Sequence, residues 1–269
     1  MALLTQPVTW ERSSVRVADT TLEVLTLGTG EPLLVLHDEM GAPDAVFPAY
    51  RMLAESHRLV LPAYPAFGGS QRLDWLMSVH DLAVWYLQAL RSLDLGQTSV
   101  LGVSLGGWLT AEMATMCPQA FKRLVLVSPM GVKPPTGDIF DLFVVTAREY
   151  FATWFEQPDR VEAYAEQFGD AIPPERAARI EDAREAAVRM AWKPYMHNPS
   201  LPHLLGGVLN PTLVVCGRQD KVVPLSAGET YRQLIPNARL EVIEEAGHRP
   251  DLEQPDVFTR VLQTFLTAA

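Results

Sequence analysis

The stretch Ser99-Val100-Leu101-Gly102-Val103-Ser104-Leu105-Gly106-Gly107-Trp108-Leu109 decides the fold. Ser99 to Val103 is a short apolar run of strand type, and Leu105 to Cys117 reads as a helix that must stop at Pro118. Between them lies Gly102-x-Ser104-x-Gly106, the pattern of a serine on a sharp strand-to-helix turn. The residues two before and two after the serine must be small for such a turn to close. The side chain of Ser104 then projects from the end of the strand at the positive pole of the following helix. The backbone N–H of Leu105 is left to face an oxyanion.

The same strand–helix alternation extends to both sides. Thr21 to Leu27 alternates polar and apolar residues, as a half-buried strand does, and Gly28 to Glu31 makes a turn. Pro32 to His37 and Arg58 to Pro62 are apolar runs suited to strands covered on both faces. Asp81 to Leu93 carries apolar residues at helical spacing, with Asp81 placed to cap it. Lys122 to Ser128 is the next strand. After a break come strand Pro211 to Cys216, helix Ser226 to Leu234, strand Arg239 to Ile243 and helix Pro255 to Leu266. This alternation predicts an α/β fold with a mostly parallel central sheet flanked by helices.

The break is an insertion. Residues 131–207 show helices but no convincing strand, and residues 140–196 alone hold ten aromatic residues, Phe168 among them. So apolar a segment is not a solvated linker. A helix starts at Pro173-Pro174 and runs to about Trp192, with Glu181, Asp182, Arg184, Glu185 and Arg189 on its charged side. Two units follow: a core of residues 1–130 and 208–269, and a helical cap of residues 131–207.

A serine nucleophile needs a base, and the base needs an orienting acid. His248 lies directly after the strand Arg239–Ile243, where a loop can reach back to Ser104. His57 precedes a strand and so falls at the wrong sheet edge, and His80, His197 and His203 are less well placed. Asp220 lies just past the strand Pro211–Cys216. Its rivals are Asp138, Asp141 and Asp251, while Glu244 and Glu245 read as solvated or structural.

With these residues in hand the chain resembles the α/β-hydrolase superfamily, from about Thr21 to Leu266. The order Ser104, Asp220, His248 is that fold's nucleophile–acid–base order. The insertion matches the position of its cap. The resemblance implies an α/β-hydrolase fold and a Ser104–Asp220–His248 triad, with backbone N–H groups of Leu105 and Glu39 as the oxyanion hole. It also implies a structural His37 bracing the loop before Glu39. The family's loop commonly begins His-Gly, whereas here it reads His37-Asp38-Glu39-Met40-Gly41. Two carboxylates beside an oxyanion hole disfavour negative charge. Both side chains are therefore expected to point away, or one to be hydrogen-bonded. Alternatively, Glu39 meets a cationic or hydroxyl group of the substrate. Pro62 to Ser70 resembles the family's turn after the fourth strand, with Ala66 in place of a glycine. Trp108 reads as core. Asp38, Met130, Phe143, Tyr150 and Trp154 are the pocket candidates.

Composition narrows the function. The chain of 269 residues carries 22 Lys and Arg against 32 Asp and Glu, a net charge of −10. That charge repels nucleic-acid phosphates and anionic lipid heads, so neither partner is expected. No apolar run is long enough to span a bilayer, and Met1 to Arg12 lacks the pattern of a signal peptide. Cys117 and Cys216 read as two buried thiols of a cytoplasmic protein and cannot form a full thiolate zinc shell. The expectation is a cytoplasmic serine hydrolase that needs no cofactor or metal. Its partner is a carboxylic ester with a small or medium hydrophobic acyl or aryl group. The alternatives are a carbon–carbon bond hydrolase of vinylogous diketones and a non-catalytic small-molecule-binding protein. Monomer and homodimer fit the sequence equally.

Overall fold

The computed structural model describes residues 8–161, 164 and 172–268; Phe168 and Met1 to Pro7 lie outside them. One eight-stranded sheet forms the centre. Its strands are β1 (Glu11–Val17), β2 (Thr20–Leu27), β3 (Glu31–Leu36), β4 (His57–Pro62), β5 (Thr98–Val103), β6 (Phe121–Val127), β7 (Thr212–Gly217) and β8 (Ala238–Ile243). Their spatial order is β1-β2-β4-β3-β5-β6-β7-β8. The β1–β2 and β2–β4 pairs are antiparallel, and every pair from β4 through β3 to β8 is parallel. This is the α/β arrangement expected from the alternation.

Burial explains which strands were legible. Every residue of β5 and of β7 is buried, as befits strands covered by helices on both faces. At one edge, β1 (ERSSVRV) is almost wholly exposed, and among the described residues it pairs with β2 alone. Its polar composition gives no strand signal in the sequence, yet charged residues suit an edge that must not recruit another strand. β8 alternates exposure at the opposite edge.

Helices α1 (Pro48–Ala54), α2 (Val79–Ser92) and α3 (Leu105–Met116) belong to the first half. The cap of α2 differs from expectation. Ser78 is the N-cap, its hydroxyl accepting the backbone N–H of Asp81 at 3.0 Å. Asp81 instead sits in the first turn, where its charge meets the helix dipole and its carboxylate accepts the N–H of Met77.

Between β6 and β7 the described residues contain α4 (Ala147–Thr153), α5 (Pro174–Ala191) and the short α6 (Leu201–Leu204). α4 opens with a capping box made by Thr146 and Glu149. α5 starts at Pro174 and buries Ile180, Ala183, Ala186, Ala187 and Met190. The second half closes with α7 (Leu225–Leu234), α8 (Pro250–Glu253) and α9 (Pro255–Leu266). Of the two cysteines only Cys216 is buried; Cys117, the C-cap of α3, is partly exposed. Among the described residues no helix is long and apolar enough to cross a membrane.

Ligands of open parallel sheets bind beyond the carboxyl ends of the strands, where the connections diverge. The loops after β3, β5, β7 and β8 meet there and carry Glu39, Ser104, Asp220 and His248.

Candidate active site

Ser104 adopts φ 53° and ψ −111°, a conformation that L-residues rarely hold. Close packing makes it obligatory. A Cβ on Gly106 would lie 2.2 Å from the Leu36 carbonyl oxygen, and one on Gly102 would lie 2.3 Å from the Gly106 oxygen. Both glycines let α3 press onto β3 and β5. The Ser104 N–H donates to the Val127 carbonyl, and its own carbonyl accepts from Gly107, Trp108 and Met130. The serine is thus tied to β6 on one side and to α3 on the other. Its side chain is fully buried.

Asp220 and His248 come together through their loops. A Cβ at Gly217 would strike the Gly247 carbonyl oxygen at 2.0 Å, so the end of β7 lies directly against the turn that carries His248. Gln219 donates its N–H to Ala246, and its side chain accepts the Ala246 N–H in return. Asp220 Oδ1 accepts the N–H groups of Val222 and Val223, at 2.8 and 2.9 Å. That fixes the carboxylate and leaves Oδ2 for His248 Nδ1, at 2.9 Å. The Nδ1–H of His248 donates to Asp220, so Nε2 is the atom able to accept a proton. Nε2 is buried without a hydrogen-bond partner among the described residues. Burial works against a charged imidazole, but the charge and hydrogen bond of Asp220, helped by Glu39, raise the His248 pKa above its ordinary 6.5. The rival Asp251 is engaged elsewhere, as a bidentate partner of Arg249. Glu244 is exposed and pairs with Arg218.

The two carboxylates of the β3–α1 loop take different courses. Asp38 does turn away: Oδ2 accepts from Arg249 at 2.7 Å and Oδ1 from the Met40 N–H. Glu39 does not. Its fully buried carboxylate faces the serine, with Oε2 accepting the Ser104 hydroxyl at 2.7 Å and Oε1 accepting the Tyr150 hydroxyl at 2.5 Å. The Ser104 proton is therefore directed at Glu39, not at His248. The reason is local. Arg249 is consumed by Asp38 and Asp251, and among the described residues Glu39 is left with hydroxyl partners. Burial and the nearby Glu39 charge push the Tyr150 pKa well above 10, so the phenol keeps its proton and donates.

The remaining candidates divide. His37 braces the loop: Nδ1–H donates to the Asp38 carbonyl, Nε2 accepts the Tyr64 N–H, and burial drives its pKa down to about 3. Tyr64 closes the same loop by donating its hydroxyl to the His37 carbonyl. No hydrogen bond among the described residues takes the N–H of Leu105 or Glu39, which leaves both able to donate to an oxyanion. Trp154 lies 6.4 Å from His248, ring to ring, and its face meets the Arg249 guanidinium at 5.1 Å. Met130 is buried next to Ser104, its N–H donating to the Ser104 carbonyl at 3.3 Å. Phe143 packs edge-on against Trp192 and Tyr195. Trp108 is core, its indole N–H donating to the buried Glu112.

Arg249 is the residue that sequence reasoning missed. Its signal was available: a cation wedged between His248 and Pro250, two residues before an aspartate. A cleft beside the site, between the β3–α1 loop and α5, is lined by Met40, Phe47, Phe151, Trp154, Ile180 and Arg249. Ser104 and His248 do not line it, and both are closed off from solvent.

The model of the "Alpha/beta hydrolase family" matches residues 33–261. The 2-hydroxymuconate semialdehyde hydrolase of Pseudomonas putida is 28% identical, the match covering 90% of this chain and 89% of that protein. The pimeloyl-[acyl-carrier protein] methyl ester esterase of Nitrosomonas europaea is 26% identical, over 88% of this chain and 96% of its own. Among solved structures, the 2-hydroxy-6-oxo-6-phenylhexa-2,4-dienoate hydrolase of Rhodococcus sp. strain RHA1 superposes with a TM-score of 0.78 at 21% identity, covering 97% of this chain and all of that one.

Proposed function

The chain belongs to the alpha/beta hydrolase family, and on that premise we propose that it is a serine hydrolase that cleaves a carbon–carbon bond in vinylogous diketones. The observation that carries this reading is the likeness, over nine-tenths of both chains, to a 2-hydroxymuconate semialdehyde hydrolase. The site supports the serine chemistry, with Ser104 on a strained turn beside a His248–Asp220 pair.

In this reading the Ser104 hydroxyl turns from Glu39 to His248 Nε2. His248 takes the proton as Oγ attacks the ketone carbonyl. Asp220 holds the imidazole and stabilises the imidazolium. The N–H groups of Leu105 and Glu39 hold the tetrahedral oxyanion. Its collapse breaks the carbon–carbon bond, and the electron pair enters the conjugated enolate. The enolate carbon takes the proton from His248. Water, deprotonated by the same histidine, then attacks the acyl carbonyl, and His248 returns the proton to Ser104 Oγ as the carboxylic acid leaves. Residues 131–207 serve as the cap, with Tyr150 and Trp154 its contributions at the site.

A second reading, hydrolysis of carboxylic esters through the same acyl-enzyme, is favoured by the likeness to a methyl ester esterase. One experiment separates the two. Loss of the dienol chromophore of a vinylogous diketone is followed beside hydrolysis of p-nitrophenyl esters from acetyl to dodecanoyl, for wild type and Ser104→Ala. The proposal expects chromophore loss to be the faster reaction and to vanish in Ser104→Ala. Faster ester turnover puts the second reading first. No reaction above the Ser104→Ala background in either assay overturns both.

A further inference from the structure

Glu39 is a buried carboxylate one hydrogen bond from the candidate nucleophile, and the roles above use only its backbone N–H. Three observations define what its side chain demands. Each oxygen accepts one hydroxyl, Ser104 on Oε2 and Tyr150 on Oε1. No Lys, Arg or His of the described residues forms an ion pair with it, because Arg249 is already shared between Asp38 and Asp251. The three carboxylates Asp38, Glu39 and Asp251 therefore stand against one guanidinium.

Reaction changes this balance. When the Ser104 hydroxyl turns to His248 Nε2, Glu39 Oε2 loses its donor in a place closed to water. A buried carboxylate stripped of a hydrogen bond carries the desolvation cost that the bond had offset. The only new group there is the substrate, seated against Ser104. The Glu39 N–H is also an oxyanion donor, so the part of the substrate that reaches Oε2 is next to the carbonyl under attack.

We propose that Glu39 is a specificity-determining residue: the site takes substrates bearing a hydrogen-bond donor, an ammonium above a hydroxyl, on the carbon beside the reacting carbonyl, and rejects a carboxylate there. The donor replaces the Ser104 hydroxyl on Oε2, so a matching substrate also frees the nucleophile for His248. The inference rests on the reading of Ser104 as the nucleophile, but not on whether an ester or a carbon–carbon bond is broken.

Boronic acids test it without reference to the scissile bond. Ser104 Oγ adds to the trigonal boron and its proton passes to His248; no bond to boron breaks, and the boron becomes a tetrahedral anion. Propylboronic, 1-aminopropylboronic and carboxymethylboronic acids are titrated calorimetrically into wild type, Ser104→Ala and Glu39→Gln. In wild type the amino compound is expected to bind about tenfold tighter than the propyl compound and the carboxy compound about tenfold weaker. In Glu39→Gln the three should fall within about threefold of one another. Equal affinities in wild type, a preference for the carboxylate, or a spread that persists in a folded Glu39→Gln overturns the inference alone. If Glu39→Gln fails to fold by circular dichroism, the wild-type order decides. Binding of propylboronic acid that does not need Ser104 overturns the nucleophile reading and the inference with it.

Discussion

Arg249 reaches across 211 positions of sequence to hold Asp38, with its Nη1 2.7 Å from the carboxylate. The contact joins the residue after His248 to the residue before Glu39, so it fixes the loops after β8 and β3 against each other. Asp251 completes the set by gripping the other edge of the guanidinium, with Nε at 2.8 Å and Nη2 at 2.7 Å. All three side chains are at least nine-tenths buried. Removing the cation would leave two carboxylates unpaired in a dry place. Arg249→Met is therefore expected to cost about 3–5 kcal/mol of stability, the loss typical of breaking a buried pair from one side. Urea denaturation measures it. A loss of less than about 1 kcal/mol, the range of exposed ion pairs, would show that the triad does not hold the loops.

The same triad carries an uncompensated negative charge, and Asp38 bears the consequence. Burial, reinforced by Glu39 and Asp251 and opposed by Arg249, raises its pKa from 3.8 to about 7. The folded state then keeps a proton between pH 4 and 7 that the unfolded chain has released. Stability follows the difference in bound protons, so this contribution is fully present below pH 4 and is lost as pH rises to 7. Asp38→Asn cannot lose that proton. Its stability relative to wild type should improve steadily from pH 4 to pH 7 and then level off, as followed by denaturant midpoints across that range. A difference that does not change with pH would place the titration elsewhere.

In the proposed mechanism His248 sets the acid side of the activity profile. It must be neutral at Nε2 to accept the Ser104 proton, and its pKa stands above 6.5, raised by Asp220 against burial. The limb of kcat/KM at low pH should accordingly have its midpoint above 6.5. In Asp220→Asn the raising charge is gone while burial remains, so that midpoint should move down. The rate itself should fall by about 10³–10⁴, because the asparagine favours the wrong imidazole tautomer. A limb that stays in place in the variant would mean that another group controls it.

The elbow, the alternation of strands and helices around it and the positions of Asp220 and His248 were legible because each has a local signature. Gly102 and Gly106 flank Ser104 at fixed spacing, and Asp220 and His248 each follow an apolar strand by a few residues. β1 was not legible, because an edge strand with polar residues on both faces has no period to read. Nor was the direction of Glu39. Its neighbour Asp38 has the same charge and a similar size, yet one turns to Arg249 and the other to Ser104. What decides between them is the position of a cation more than two hundred residues away in sequence. That information exists only once the loops after β3 and β8 have met. The Tyr150 contact is of the same kind, since it joins the β3–α1 loop to a helix 111 positions downstream.

The glycines of the elbow offer the sharpest test of the packing that places Ser104. A methyl group at Gly106 would lie 2.2 Å from the Leu36 carbonyl oxygen and 2.7 Å from that of His37. All of these are backbone atoms of β3 and of the loop that carries Glu39, so no side chain can move aside. Relief requires α3 to slide away from the sheet, taking Ser104 and Leu105 with it. Gly106→Ala is expected to lose about 1–3 kcal/mol from overpacking. What activity survives should fall further than the stability loss explains, because the Leu105 N–H shifts relative to that of Glu39. Gly96 is the control: a Cβ there meets nothing within 4 Å, and its substitution by alanine should leave both the melting temperature and the rate close to wild type. Thermal melts and initial rates on the three proteins decide the matter. A Gly106→Ala enzyme as stable and as fast as the Gly96→Ala control would mean that α3 does not need its close approach to β3 to position the serine.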